Sequence, residues 1–182
     1  MKPHDPRRLD IERFATDHGR LQGDWPLSGM RRLMDACHAE APPVAADRVA
    51  WQAVGERRRR HAAAEPDAWL QLKLDTDVKL TCQRCLGPVE TSLRVERWFQ
   101  FVGSEEAAAQ LDVDSEVDVL ASTRSLDLQQ LTEDELLLAL PLVPRHEVCP
   151  QPLLPTTPPT LVQDEIAPNP FAALAALKGT PH

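Results

Sequence analysis

The stretch Trp69-Leu70-Gln71-Leu72-Lys73-Leu74-Asp75-Thr76-Asp77-Val78-Lys79-Leu80-Thr81-Cys82-Gln83-Arg84-Cys85-Leu86-Gly87-Pro88 decides how this chain folds. Leu70, Leu72, Leu74, Val78 and Leu80 fall on even positions, which places them on one face of an extended strand. The next segment, Val89 to Val102, carries Val89, Leu93, Val95, Phe99 and Phe101 on odd positions. Two period-two segments joined by Cys82–Pro88 predict a long β-hairpin with one buried face and a C-x2-C pair in its turn. Gly87 is expected to supply the positive φ that a tight turn needs.

Upstream of the hairpin, Leu27 to Glu40 carries Met30, Leu33, Met34 and Cys37 at three- and four-residue spacing, the pattern of a helix with one apolar stripe. Ser28 is a candidate cap and Pro42-Pro43 ends the segment, so the first forty residues read as helical and peripheral. Cys37 lies on the stripe and reads as a small core residue; His38 points off it and takes no role. Val44 to Arg57 alternates weakly, with Val49, Trp51 and Ala53 sharing a face, and reads as another strand.

Downstream, residues 103–125 are polar and acidic, with a short helix predicted at Ser104–Gln110 and a short strand at Val117–Leu120. Leu126 to Leu140 forms a strongly apolar helix that could start or restart at the capping box Thr132-x-x-Glu135 and stops at Pro141 and Pro144. Residues 150–170 are proline-rich and read as an extended linker. In the tail from Asn169 to Lys178, Phe171, Leu174 and Leu177 share a face, giving a small amphipathic helix that docks on its own domain or on a partner. The fold class is therefore α+β: an antiparallel β-sheet with a long hairpin carrying the C-x2-C knuckle, flanking helices and an extended proline-rich C-terminal tail. Residues 1–149 form one domain, and 150–182 the linker and terminal helix.

Composition narrows the function. The net charge is −8, divided as 12 basic against 9 acidic residues in 1–64 and 8 against 19 in 65–182. Such a chain does not coat nucleic acid by counterion release, which needs a clustered positive face. The one strong basic run is Arg57-Arg58-Arg59-Arg60, a solvated strand end or a contact to RNA phosphates. The acidic segment from Glu105 to Glu135 suits basic partners such as ribosomal proteins. No run of eighteen apolar residues is present, so no membrane association is expected. The charged, apolar-poor N-terminus and the sparse cysteines point to a reducing cytoplasm.

Three of the four cysteines fall in two short clusters, Cys82-x2-Cys85 and His146-x2-Cys149. Each cluster offers two thiolate or imidazole ligands one turn apart, so Cys82, Cys85, His146 and Cys149 form a candidate set for tetrahedral zinc. With four protein ligands and no position for water, the zinc would be structural. Two other uses stay open: unligated, semi-buried thiols, or a redox pair at Cys82 and Cys85. A redox pair wants a helix directly after the C-x-x-C, whereas here a strand follows. Asp112, Asp114, Glu116 and Asp118 lack the spacing of a calcium loop and read as a solvated face. Without a P-loop, a dinucleotide fingerprint or a nucleophile elbow, an enzyme is not expected, nor a small-molecule substrate.

Leu80-Thr81-Cys82-Gln83-Arg84-Cys85-Leu86 resembles the C-x-R-C segment of the bacterial YceD family, whose plant relatives are linked to accumulation of the large-subunit ribosomal RNA. Glu133 to Pro144, followed by His146 and Cys149, is similar to that family's second block, and Asn169 to Lys178 is similar to its ending. The resemblance runs from about residue 20 to the end. It implies a cytoplasmic, non-enzymatic factor connected with 23S rRNA accumulation and large-subunit assembly. Its partners would be pre-ribosomal RNA or ribosomal proteins of the large subunit. Contact with RNA would run through Arg57, Arg58, Arg59, Arg60 and Arg84.

Overall fold

A computed structural model describes residues 3–59 and 65–150. Along them, α1 (Ile11–Thr16) leads into β1 (Arg20–Pro26), a 3-10 turn (Leu27–Gly29), α2 (Arg31–Ala36) and β2 (Arg48–Arg58). The long pair β3 (Asp67–Thr81) and β4 (Pro88–Val102) follows, then α3 (Glu105–Asp112), β5 (Asp118–Ala121) and α4 (Leu128–Leu138). The proline-rich linker and amphipathic terminal helix expected beyond residue 150 lie outside the described residues.

The hairpin forms with the parity its sequence predicts. Leu70 faces Phe99, Leu74 faces Val95 and Leu80 faces Val89, so even positions of β3 and odd positions of β4 share one buried face. At about 3.3 Å per residue, each fifteen-residue strand runs roughly 50 Å. The five strands lie in the order β1-β2-β3-β4-β5. The expected all-antiparallel sheet is corrected at one edge, where β5 pairs with β4 in parallel. α3 is the cause: it carries the chain back along the sheet, a crossover a tight turn cannot make. Val102, Ala108 and Val119 pack together beneath it.

The first forty residues also differ from expectation, because they contribute a strand. β1 pairs antiparallel with β2 from Arg20↔Val54 to Pro26↔Arg48. Its residues show no clean alternation, with only Trp25 buried, so the period-two signal is missing from the sequence. Trp25 stacks on Trp51 of β2 with ring centroids 4.4 Å apart and planes 17° from parallel. The helix expected over Leu27–Glu40 is shortened to the 3-10 turn and the six residues of α2. Cys37 then turns extended and packs half-buried against the core, its thiol donating to the Leu33 carbonyl at 3.3 Å. Burial, and then the charge of Asp47, pushes that thiol up.

Helices close the buried face of the sheet. α1 is capped by Asp10, whose carboxylate accepts from the Arg13 amide, and it lays Ile11, Phe14 and Ala15 into the core. Phe14 sits directly on Gly55 of β2, where a Cβ would come within 2.6 Å of its ring and 2.8 Å of its carbonyl oxygen. α4 packs on α2 and β4. It begins at Asp127, which caps the amides of Gln129 and Gln130, close to the Leu126 start of the expected apolar stretch, with no restart at the Thr132 capping box. Thr132 is buried inside the helix with its hydroxyl donating to the Leu128 carbonyl, and Glu135 is turned inward near Arg97. The chain leaves α4 at Ala139 and runs through Pro141 and Pro144 back to the turn of the hairpin.

Candidate metal centre

The turn between β3 and β4 is fixed by two backbone bonds, Cys82 N–H to the Gly87 carbonyl and Leu86 N–H to the Cys82 carbonyl, both 2.9 Å. The residue with positive φ is Leu86, at 61°, and not Gly87 as expected. A bulky residue in this left-handed region is strained and persists only where its surroundings hold it. His38, from the segment after α2, reaches this residue. Its Nδ1 accepts the Glu40 amide at 3.2 Å, which leaves Nε2–H to donate to the Leu86 carbonyl at 3.0 Å. Its own amide donates to the Lys79 carbonyl at 2.7 Å.

The loop after α4 lies against this turn. Gln83 N–H donates to the Pro144 carbonyl at 2.8 Å, so main chain joins main chain before any side chain is counted. Cys82, Cys85, His146 and Cys149 then converge, their ligand atoms all within 4.8 Å of one another. Cys82 Sγ lies 3.9 Å from Cys149 Sγ, and His146 Nδ1 lies 3.5 Å from Cys85 Sγ and 3.9 Å from Cys149 Sγ. In a tetrahedral site with Zn–S bonds of about 2.3 Å, sulfurs stand about 3.8 Å apart, so the donor set fits a zinc ion in number, type and spacing. His146 is oriented for the role. Its Nε2–H donates to the Pro88 carbonyl at 3.0 Å, which leaves the Nδ1 lone pair facing the thiols.

Electrostatics within the group are graded. Burial raises the Cys82 thiol, but the amides of Cys85, His146 and Arg84 and the His146 side chain outweigh it and bring it down to about 5. The Gly87 amide favours the Cys85 thiolate; burial and the sulfurs of Cys149 and Cys82 overcome that and push Cys85 up. Arg84 closes the group from outside. Its Nε–H donates to Cys149 Sγ at 3.0 Å, and Nη2 donates to the carbonyls of His146 and Glu147 at 3.1 and 3.3 Å. A guanidinium thus offsets thiolate charge and holds the His146–Cys149 loop in the same gesture.

The other residues singled out from the sequence are not brought together here. Arg57 pairs with Glu12 of α1, and Arg58 turns to the opposite face, on Glu56 at 2.8 Å and over the Trp98 ring at 3.7 Å. Arg59 also has a partner, and Arg60 lies outside the described residues. Arg57 is aligned with Ala68 at the far end of β3, roughly 40 Å from the turn at about 3.3 Å per residue. Arg84 and the basic run are therefore separate features. Sequence reasoning missed His38, because a helix running through Glu40 would have turned it away; the early end of α2 puts it under the turn. Arg84 was singled out as a contact to RNA, and its contacts within the chain are to the ligand loop.

These features define a class: an α+β domain in which a hairpin turn and a helix-exit loop meet through three thiols and an imidazole. The chain belongs to the YceD family, since residues 70–178 match the family described as large ribosomal RNA subunit accumulation protein YceD. A similar curated protein, the large ribosomal RNA subunit accumulation protein YceD of Haemophilus influenzae, is 39% identical over 113 residues. That match covers 58% of this chain and 63% of the relative, which is less than two thirds of the relative's length. No solved structure matches the chain significantly. Among the described residues, no helix is long and apolar enough to cross a membrane.

Proposed function

We propose that this chain is a non-enzymatic factor that promotes accumulation of 23S ribosomal RNA in large-subunit biogenesis. In this reading Cys82, Cys85, His146 and Cys149 hold a structural zinc ion. The observation that carries the reading is that both halves of the cysteine–histidine group lie inside the stretch matched to the family, 70–178. The zinc adds no reacting group; it locks the hairpin turn to the loop after α4 across the 61 positions from Cys85 to His146. Thiolate–zinc binding is worth on the order of 10 kcal/mol in zinc-finger peptides, enough to decide whether these two segments stay joined. Pre-ribosomal RNA or large-subunit proteins are the partners, met in the cytoplasm. Residues 1–149 act as one domain, with 150–182 as its tail.

One observation favours a second reading. A Cys82 thiol brought down to about 5 also suits a thiol redox protein working through the C-x2-C pair. Against it, Cys82 is fully buried, and its turn leads into β4, with no helix end beside the sulfur. The test is the ratio of 23S to 16S rRNA, with precursors, in cells depleted of the protein and complemented with wild type or C82S. A selective fall in 23S that wild type restores and C82S does not supports the proposal. An unchanged ratio on depletion overturns it.

A further inference from the structure

We propose that His38 is a positioning residue of the candidate metal centre: it pins the strained Leu86 so that Cys82 and Cys85 face the His146–Cys149 loop. The inference rests on the metal reading above and deepens it. His38 comes from a segment outside the matched stretch 70–178, and nothing about its sequence neighbourhood marks it as part of the site.

The argument starts from the backbone. Leu86, one residue after Cys85, sits at φ 61° while it is 69% exposed, so its own packing does not hold it there. A single left-handed non-glycine residue costs about 1–3 kcal/mol, and a turn carrying that cost relaxes unless a partner fixes it. Leu86 N–H is already committed to the Cys82 carbonyl, which leaves its carbonyl oxygen as the second handle. His38 takes that handle with Nε2–H at 3.0 Å. His38 is only 6% exposed and is itself fixed twice, its ring by the Glu40 amide on Nδ1 and its backbone by its own amide on the Lys79 carbonyl of β3. The tautomer is set by the Glu40 contact, so the donor to Leu86 is present without adjustment. His38 thus ties the turn to the segment after α2, as Arg84 ties the loop to the turn. In metal sites, partners one shell out from the ligands alter affinity by about 10–100-fold.

The test uses the full chain loaded with zinc and follows metal transfer to a chromophoric chelator, with the visible spectrum of the cobalt-substituted protein as a second readout. Two variants separate the contacts. H38Q carries an amide to the Nε2 position and keeps a donor for Leu86; H38N reaches only the Nδ1 position and loses it. The expected result is metal loss about 10–100-fold faster in H38N, with H38Q close to wild type. Because loss of a buried imidazole threatens folding, H38N is also made with L86G, since glycine adopts positive φ without strain; this pair should recover slow metal loss. H38N losing metal as slowly as wild type, or H38Q losing it as fast as H38N, overturns the proposal. If wild type takes up no zinc, the metal reading fails by itself. Amide exchange at Leu86 then decides the role of His38: faster exchange in H38N than in H38Q supports it, and equal exchange overturns it.

Discussion

At Cys149 the sulfur takes the Nε–H of Arg84 at 3.0 Å and faces Cys82 across 3.9 Å, so one cation stands beside a group of three thiols. In the zinc reading, three thiolates and one imidazole would leave the site with a net single negative charge, which Arg84 would meet. R84A should speed metal loss and loosen the His146–Cys149 loop while leaving the hairpin formed. R84K should recover only part of the effect, because an ammonium cannot bond Cys149 and two carbonyls in one plane. Chelator-transfer kinetics on both variants check this, and wild-type kinetics in R84A would remove the role. The four ligand candidates were legible from spacing alone. His38 was not, since its contact with the turn depends on where α2 ends, and the positive φ fell at Leu86, one residue before the glycine expected to take it.

Elements are where sequence pattern and packing part company. The β3–β4 hairpin was readable because every even position of β3 from Ala68 to Leu80 is buried and the apolar odd positions of β4 join that face, even though β4 itself loses strict alternation at Arg97 and over its last four residues. β1 was not, because as an edge strand it buries little more than Trp25. α4 lies within the Leu126–Leu140 stretch read as a helix, but the restart offered at Thr132 does not occur: Thr132 and Glu135 form a capping box in sequence, yet both are buried inside the helix that Asp127 begins. Two predictions belong at this scale. G55A places a methyl 2.6 Å from the Phe14 ring and against its carbonyl oxygen, so α1 must shift off β2. A loss of roughly 1–3 kcal/mol is expected, read from urea unfolding, and unchanged stability would contradict the packing described. Glu135 is the second. Burial raises its carboxyl above the ordinary 4.5, with Arg97 opposing and Asp118 and Asp134 adding. The folded chain then holds its proton more tightly than the unfolded one, so stability from this group falls as pH rises above about 4.5. E135Q should match wild type below that pH and gain on it above; a constant difference across the range would contradict the assignment.

For the molecule as a whole, the long hairpin separates two groups of arginines that the sequence reading had joined as one contact to RNA. Arg57 and Arg58 sit at one end on opposite faces of β2, each with a partner inside the chain, while Arg84 sits with the thiols at the other end. A strand sends successive side chains to opposite faces, so a run of arginines in sequence need not be a patch in space. At the turn, the Gln83–Pro144 main-chain bond brings β3–β4 against the exit of α4, and the cysteine–histidine group converges at the same place. The most direct measurement is metal stoichiometry of the purified chain beside its thermal midpoint, for wild type, wild type treated with chelator, and C149S. The account predicts about one zinc per chain in wild type, and loss of both metal and thermal stability on chelation and in C149S. A wild-type chain free of metal, with a midpoint that neither chelator nor C149S changes, would contradict it.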